Sequence, residues 1–190
     1  MSIIKLSGPT LSIRDWTEQD LPLYWKWNIG HHRWMDFNGP YYPKQTPEQV
    51  ENTIMVYKRK IAERSWRVPR KRLAIAANGN DRLLGTVSWY WQSQPTNWRS
   101  IGIVIYDDQD WGKGIGFEAL SLWIQYLFDQ DPSLVRLDLR TWSGNGGMVR
   151  LGLKLGFKQE ACFRKARIVK GQYYDSIGMG ILREEWSTSY

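Results

Sequence analysis

The sequence predicts an α/β fold built on one mixed sheet of about six to seven strands flanked by about four helices. Three observations predict it. Alternating or continuous apolar runs of strand length recur along the chain, stretches with apolar residues at helical spacing separate several of them, and turn dipeptides join the others directly. The implied order is strand, two helices, three strands, helix, strand, helix, two strands. Strands joined through helices are expected to be parallel and those joined by tight turns antiparallel.

Each element has its own signal. Thr10–Arg14 alternates and reads as the first strand. Thr17 is the expected cap of a short helix over TEQDLPLYWKW, with acidic residues in its first turn. Residues 29–45, rich in Gly, Pro, His, Asn and Tyr, read as a loop. Thr46-Pro47-Glu48-Gln49 opens a second helix, with Thr as cap, Pro in the first helical position and Gln where a capping box needs it. Val50, Ile54, Tyr57 and Ile61 give that helix one apolar face. Leu73–Ala77 and Leu83–Trp91 read as strands joined by the turn Asn78-Gly79-Asn80-Asp81. Ile101–Tyr106 is nearly all apolar, as the middle of a sheet requires. A helix follows from about Gly114 to Asp129, then a strand over Leu134–Thr141 and a helix over Asn145–Leu155 that Gly156 ends. Two last strands, near Phe157–Val169 and Gln172–Leu182, turn at Lys170-Gly171.

With 190 residues, the chain is expected to form a single domain over 1–190. Cys162 is the only cysteine and His31 and His32 are the only histidines, which excludes an internal disulfide and argues against a metal site or a His-based triad. No apolar run approaches the roughly 20 residues that cross a bilayer, and the N-terminus lacks the apolar core of a leader. A cytoplasmic protein is expected. The net charge of +7 favours polyanionic partners, and much of it lies in Lys58–Arg72, KRKIAERSWRVPRKR. That segment is either a solvated helix end and loop or a surface for ribosome or nucleic acid. Exposed tryptophans among the twelve would suit a homodimer.

The chemistry is concentrated in IGIVIYDDQDWGKGIGFEAL, residues 101–120. An apolar strand runs into a loop with Gly112, Gly114 and Gly116 and then directly into a helix. Alternate glycines bare the first free N–H groups of the helix, where the dipole is positive and a diphosphate can sit. Lys113 could add a cation. The spacing differs from a dinucleotide fingerprint, and Gly112-Lys113 is followed by Gly114 rather than by the Ser or Thr of a nucleotide-triphosphatase loop.

This stretch resembles the acetyl-CoA loop of the GNAT superfamily of N-acetyltransferases. Trp111 stands in the place of the family's Arg or Gln, with Gly114 and Gly116 as its glycines. Leu11–Leu21 and the segment of Asn145, Lys154, Gly156 and Phe157 are similar to the branch holding ribosomal-protein N-terminal and spermidine acetyltransferases. The resemblance runs from about residue 9 to 183. It implies that the backbone of Ile103, Val104 and Ile105 pairs with the pantetheine arm of acetyl-CoA and supplies an oxyanion donor. It implies that Trp111, Gly112, Lys113, Gly114, Ile115, Gly116 and Phe117 wrap the diphosphate. Asn145 and Lys154 join the cofactor set, Asn145 being an equally good helix cap.

The implied reaction is direct attack of a neutral primary amine, on a small molecule or a protein N-terminus, on the thioester. An α-amino group has a pKa of about 7.7–8, so roughly a fifth or more is neutral near pH 7.4, against about 0.1% for a lysine amine. Candidates for holding the acceptor are Trp34, Asp36, Tyr41 and Tyr42 in the loop, and Trp89, Tyr90 and Trp91 on the third strand, where Trp89 and Trp91 share a face opposite Tyr90. Relatives place a Tyr general acid where this chain has Gly152, or a Ser where it has Met148. No catalytic acid or base is therefore named, and the missing Tyr and Ser leave open a fold of this kind that binds CoA without doing chemistry.

Overall fold

A computed structural model describes residues 3–186. Its sheet has eight strands in the order β1-β2-β3-β4-β5-β6-β8-β7. These are β1 Lys5–Ser7, β2 Leu11–Arg14, β3 Arg72–Ala77, β4 Leu83–Ser93, β5 Trp98–Ile105, β6 Arg136–Trp142, β7 Lys158–Val169 and β8 Gln172–Leu182. The helices are α1 Asp20–Asn28, α2 Pro47–Glu63, α3 Ile115–Gln130 and α4 Gly146–Lys154. The strand beyond expectation is β1, whose three residues carry no readable alternation. It pairs with β2 at the sheet edge.

The β5–β6 pair is parallel, as its helical connection through α3 requires. The β2–β3 pair is antiparallel although two helices separate its strands. The chain leaves at Arg14 and re-enters at Arg72 on the same end of the sheet, since Arg14 lies opposite Ala74 and Leu11 opposite Ala77. The outward run of α1 is matched by a return through α2, so the excursion reverses the strand direction.

Each sheet face has its own core. Leu73, Ile75, Val87, Trp89, Ile101, Leu137 and Leu139 lie under α3, whose Leu120, Trp123, Ile124 and Leu127 are fully buried. Trp16, Leu21, Tyr24, Val50, Tyr57, Ala74 and Tyr106 form the core beneath α1 and α2 on the opposite face. Glu118 of α3 accepts from the amides of Thr10 and Leu11 and from the Thr10 hydroxyl, which ties the helix to the start of β2.

Thr17 does not cap α1. Its amide and hydroxyl instead donate to the Asp20 carboxylate, and that carboxylate also takes both terminal nitrogens of Arg14. A buried Arg–Asp pair thus replaces the expected cap. The cap on α2 is as expected: the Thr46 hydroxyl accepts from Gln49 N–H, and the Gln49 side chain accepts from Thr46 N–H. Thr46→Ala should cost about 1 kcal/mol, read as a lower urea midpoint at unchanged slope.

Among the described residues no helix is long and apolar enough to cross a membrane. Nor does any group of three or more His, Cys, Asp or Glu among them form a cation cage.

Candidate active site

The site is built where β5 and β6 part. Their pairing covers only Arg99–Leu137, Ser100–Asp138 and Ile101–Leu139. Beyond it β5 runs on to Ile105 beside β4 alone, while β6 runs on to Trp142 beside β8. Tyr106 N–H bonds Leu84 O on the β4 side. By alternation, the amides of Ile103 and Ile105 face the opening. Val104 differs from its neighbours: its main chain lies against β4, its carbonyl close beneath Gly85. Of the three strand residues expected to meet a pantetheine arm, Ile103 and Ile105 therefore turn their backbone toward the gap, and Val104 does not.

At the end of β5 the chain makes a turn at Asp108–Asp110 and enters α3. Gly112 and Gly114 have φ of +76° and +84°, a conformation costly for other L residues, and an added Cβ at either meets nothing within 4 Å. These two glycines are thus required by backbone shape, and the space above them is open. The first helical bond of α3 is Glu118 N–H to Gly114 O, so the amides of Ile115 and Gly116 have no carbonyl one turn back to bond. Gly116 has a second reason to be glycine, because its Cβ would stand 3.1 Å from Leu151 Cδ2 of α4.

The flanking residues brace this turn. The Trp111 indole N–H donates to Ile105 O at 3.1 Å, and its ring meets Phe37 edge-on at 5.4 Å with the Arg33 guanidinium 5.6 Å away. Lys113 lies 3.6 Å from Asp110, a surface pair of little strength. Ile115 and Phe117 pack on the core beneath α3. The Lys154 ammonium lies 4.7 Å from the Phe117 ring, which brings it to this turn from α4. Asn145 is the α4 cap, accepting from Met148 N–H, and its amide donates to Phe37 O at 3.2 Å.

A cleft of about 810 Å³ opens on the α1–α2 face beside the parted strands. Of the candidates for holding the acceptor, Trp34, Tyr41, Tyr42 and Tyr90 line it. Asp36 does not: it bonds His31 at 3.1 Å outside the cleft. Trp89 and Trp91 do not either. Their shared face is the one under α3, where Arg99 stacks on both rings at 4.8 and 4.6 Å and the Trp89 indole donates to Arg70 O. Alternation correctly separates the tryptophans from Tyr90, and of the two faces it is that of Tyr90 that meets the cleft.

Several cleft residues had no sequence signal. Tyr106 closes the floor, stacked on Trp27 at 6.0 Å and edge-on to Trp34 at 5.7 Å. Burial pushes the Tyr106 phenol well above the ordinary tyrosine range, and burial raises Tyr24 as well, so both stay protonated donors. Arg72 projects from β3 into the same space beside the phenols of Tyr24, Tyr57 and Tyr106, and solvent reaches it through the cleft. Burial opposes its charge, the tyrosines favour it, and the balance raises its pKa. The basic run from Lys58 to Arg72 thus divides: Arg70 is buried on Asp15, Arg72 belongs to the cleft, and Lys58, Arg59, Arg64, Arg67 and Lys71 stay exposed.

Gly152 stands where relatives carry a tyrosine, but it is buried against the sheet. An added Cβ would lie 2.9 Å from Met179 Sδ and 3.1 Å from Leu139 Cδ2. Gly152→Ala should lose about 1 kcal/mol in urea unfolding, overpacking exceeding the gain in helix propensity.

An open mixed sheet with a parted parallel pair, beside a glycine-shaped helix start, defines an acyltransferase-type α/β domain. The chain belongs to the acetyltransferase (GNAT) domain family, whose match covers residues 10–158. It is 33% identical over 79 residues to an uncharacterized SPbeta prophage-derived N-acetyltransferase, YokL, of Bacillus subtilis. That match spans 42% of this chain and 44% of the relative's length. Among solved structures it resembles a GNAT-family acetyltransferase from Bacillus anthracis, with TM-score 0.75 and 19% identity over 96% of this chain and 100% of that one. It also resembles a spermidine N-acetyltransferase from Vibrio cholerae in complex with CoA and spermine. There the TM-score is 0.71 and the identity 20%, over 92% of this chain and 96% of that one.

Proposed function

We propose that the chain is a single-domain, cytoplasmic, acetyl-CoA-dependent N-acetyltransferase that passes the acetyl group directly to a primary amine. The observation that carries this reading is the alignment of the β5–β6 opening with the bared start of α3. One offers strand-like backbone to an extended amide arm, and the other offers helix N–H groups to a diphosphate. The residues fit the cofactor, since the opening is flanked by unpaired strand edges and the glycine turn leaves room above itself.

Acetyl-CoA supplies the activated acyl group as a thioester. The Ile103 and Ile105 amides orient the arm and place an N–H donor where negative charge develops on the carbonyl oxygen. The cleft contributes Lys44, Arg72, Arg140 and Arg167, and its described lining holds no Asp or Glu. A cationic surround disfavours the protonated amine, so it lowers the acceptor's pKa without a dedicated base. It also favours the departing thiolate, whose ordinary pKa near 8.5 already makes a proton donor dispensable. A cleft without a carboxylate therefore suits a mechanism without the usual tyrosine or serine.

The test is thiol release from acetyl-CoA in the presence of amines, together with a melting shift on adding CoA. Absence of both sinks the proposal.

A further inference from the structure

We propose that the acceptor is an amine that also carries an acidic group, a carboxylate or a phosphate, held by Arg72 and Arg140. This rests on the acetyltransferase reading above and names the substrate class of the same cleft.

The sheet register brings the two arginines into one row. Arg72 lies opposite Ser88, and Ser88 lies opposite Gly102. The Ile101–Leu139 pair sets Arg140 level with Gly102 across the opening. All four positions belong to the cleft face of the sheet. At about 4.8 Å per paired strand, and more across the parted β5–β6 step, the Cα atoms of Arg72 and Arg140 stand at least about 14 Å apart. Ser88 and the side-chain-free Gly102 form the floor between them, one residue before Ile103. An anion held in this row would sit beside the strand segment assigned to the thioester.

The charges in the cleft are unmatched. Elsewhere in the fold, Arg14, Arg70, Arg99 and Arg136 each meet a carboxylate. Among the described residues, Lys44, Arg72, Arg140 and Arg167 form no ion pair, and no Asp or Glu lines the cleft. The neighbours of these arginines are aromatic. Tyr24 and Tyr57 surround Arg72, Trp98 lies 5.7 Å from the Arg140 guanidinium, and Tyr41 lies 4.7 Å from that of Arg167. Aromatic partners orient a guanidinium without neutralising it. The Nε of Arg167 is buried with no hydrogen-bond partner, a further donor in want of an acceptor. A planar guanidinium matches carboxylate and phosphate oxygens in a bidentate fork.

These cations are separate from those that would meet the cofactor's phosphates. The start of α3 packs on the opposite face of the sheet, where Ile115 and Phe117 join the core beneath that helix. The same unmatched charge repels a polycationic acceptor. In the transfer, the amine nitrogen forms the new bond to the acyl carbon as the C–S bond breaks. Sulfur leaves with the electron pair, and the amine's surplus proton goes to water.

The experiment measures thiol release from acetyl-CoA with matched acceptors. The free pairs are 4-aminobutyrate with 4-aminobutyramide and O-phosphoethanolamine with ethanolamine. The peptide pair differs only in Asp or Asn at the second position, and spermidine is the cationic probe. At least one acidic member is expected to exceed its neutral twin about 10- to 100-fold in kcat/KM, the effect of one charge-assisted hydrogen bond, with spermidine poorest. Whether the free or the peptide pair responds identifies the source of the anion. Arg72→Gln and Arg140→Gln should each remove the preference by raising KM for the acidic acceptor. The acidic acceptor should lose about 10-fold or more relative to its neutral twin, and the CoA melting shift should be unchanged, so a general loss of charge or a folding defect is told apart from a lost anchor. Equal use of the twins, preference for spermidine, or turnover of no acidic probe while the CoA shift persists overturns the inference alone. Loss of the CoA shift in the unaltered protein overturns the acetyltransferase reading and this inference with it.

Discussion

Replacing Gly114 by aspartate is expected to abolish stabilisation by CoA while leaving a folded protein. Saturating the unaltered chain at about 100 times the dissociation constant adds roughly 2.7 kcal/mol. For a chain of this size that corresponds to a rise in Tm of about 5–10 °C. The φ of +84° at Gly114 makes any other L residue cost about 1–2 kcal/mol, and an added Cβ meets nothing within 4 Å, so the penalty is conformational and not a clash. The aspartate would set a negative charge where the amides of Ile115 and Gly116 open toward solvent, against any phosphate. Gly114→Asn is the control, since asparagine tolerates this backbone and carries no charge. It should retain most of the shift. Gly116→Asp is a poorer probe, because its side chain would also press on Leu151. An undiminished shift in Gly114→Asp would remove the phosphate site from this turn.

The second large effect is structural. Asp15→Ala should destabilise the fold by about 3–5 kcal/mol, lowering Tm by roughly 6–20 °C. Both carboxylate oxygens of Asp15 take nitrogens of Arg70, at 2.7 and 3.0 Å, and the Arg70 side chain is only 2% exposed. Removing the acid leaves the buried guanidinium charge against the carbonyls of Trp66 and Arg67, while Tyr126 and Trp89 bond the main chain of Arg70. The double change Asp15→Leu with Arg70→Met leaves no charge behind and should recover most of the loss. A cost below about 1 kcal/mol for the single change would show that water reaches the pair.

The contrast between Arg70 and Arg72 shows where sequence reading stops. Strands, helices and the glycine turn were legible because their signals are local: the apolar run at Ile101–Tyr106, the capping box at Thr46, and glycines ahead of an apolar helix face. The fate of each basic residue in KRKIAERSWRVPRKR depends on partners that lie far away in sequence, Asp15 for Arg70 and Tyr24 for Arg72. Alternation likewise separated Trp89 and Trp91 from Tyr90, but nothing local says which face α3 will cover. Asp36 was a plausible anchor for a cation until His31 claimed it. Thr17 had the composition of a cap, and Arg14 drew Asp20 into a different network.

The three rungs that join β5 to β6 also fix how the molecule responds to load. They are the main-chain seam between one half of the sheet, β1 to β5, and the other, β6 to β8. Any extended chain seated in the gap lengthens that seam and clamps the halves together, so occupancy and rigidity of the whole domain rise as one.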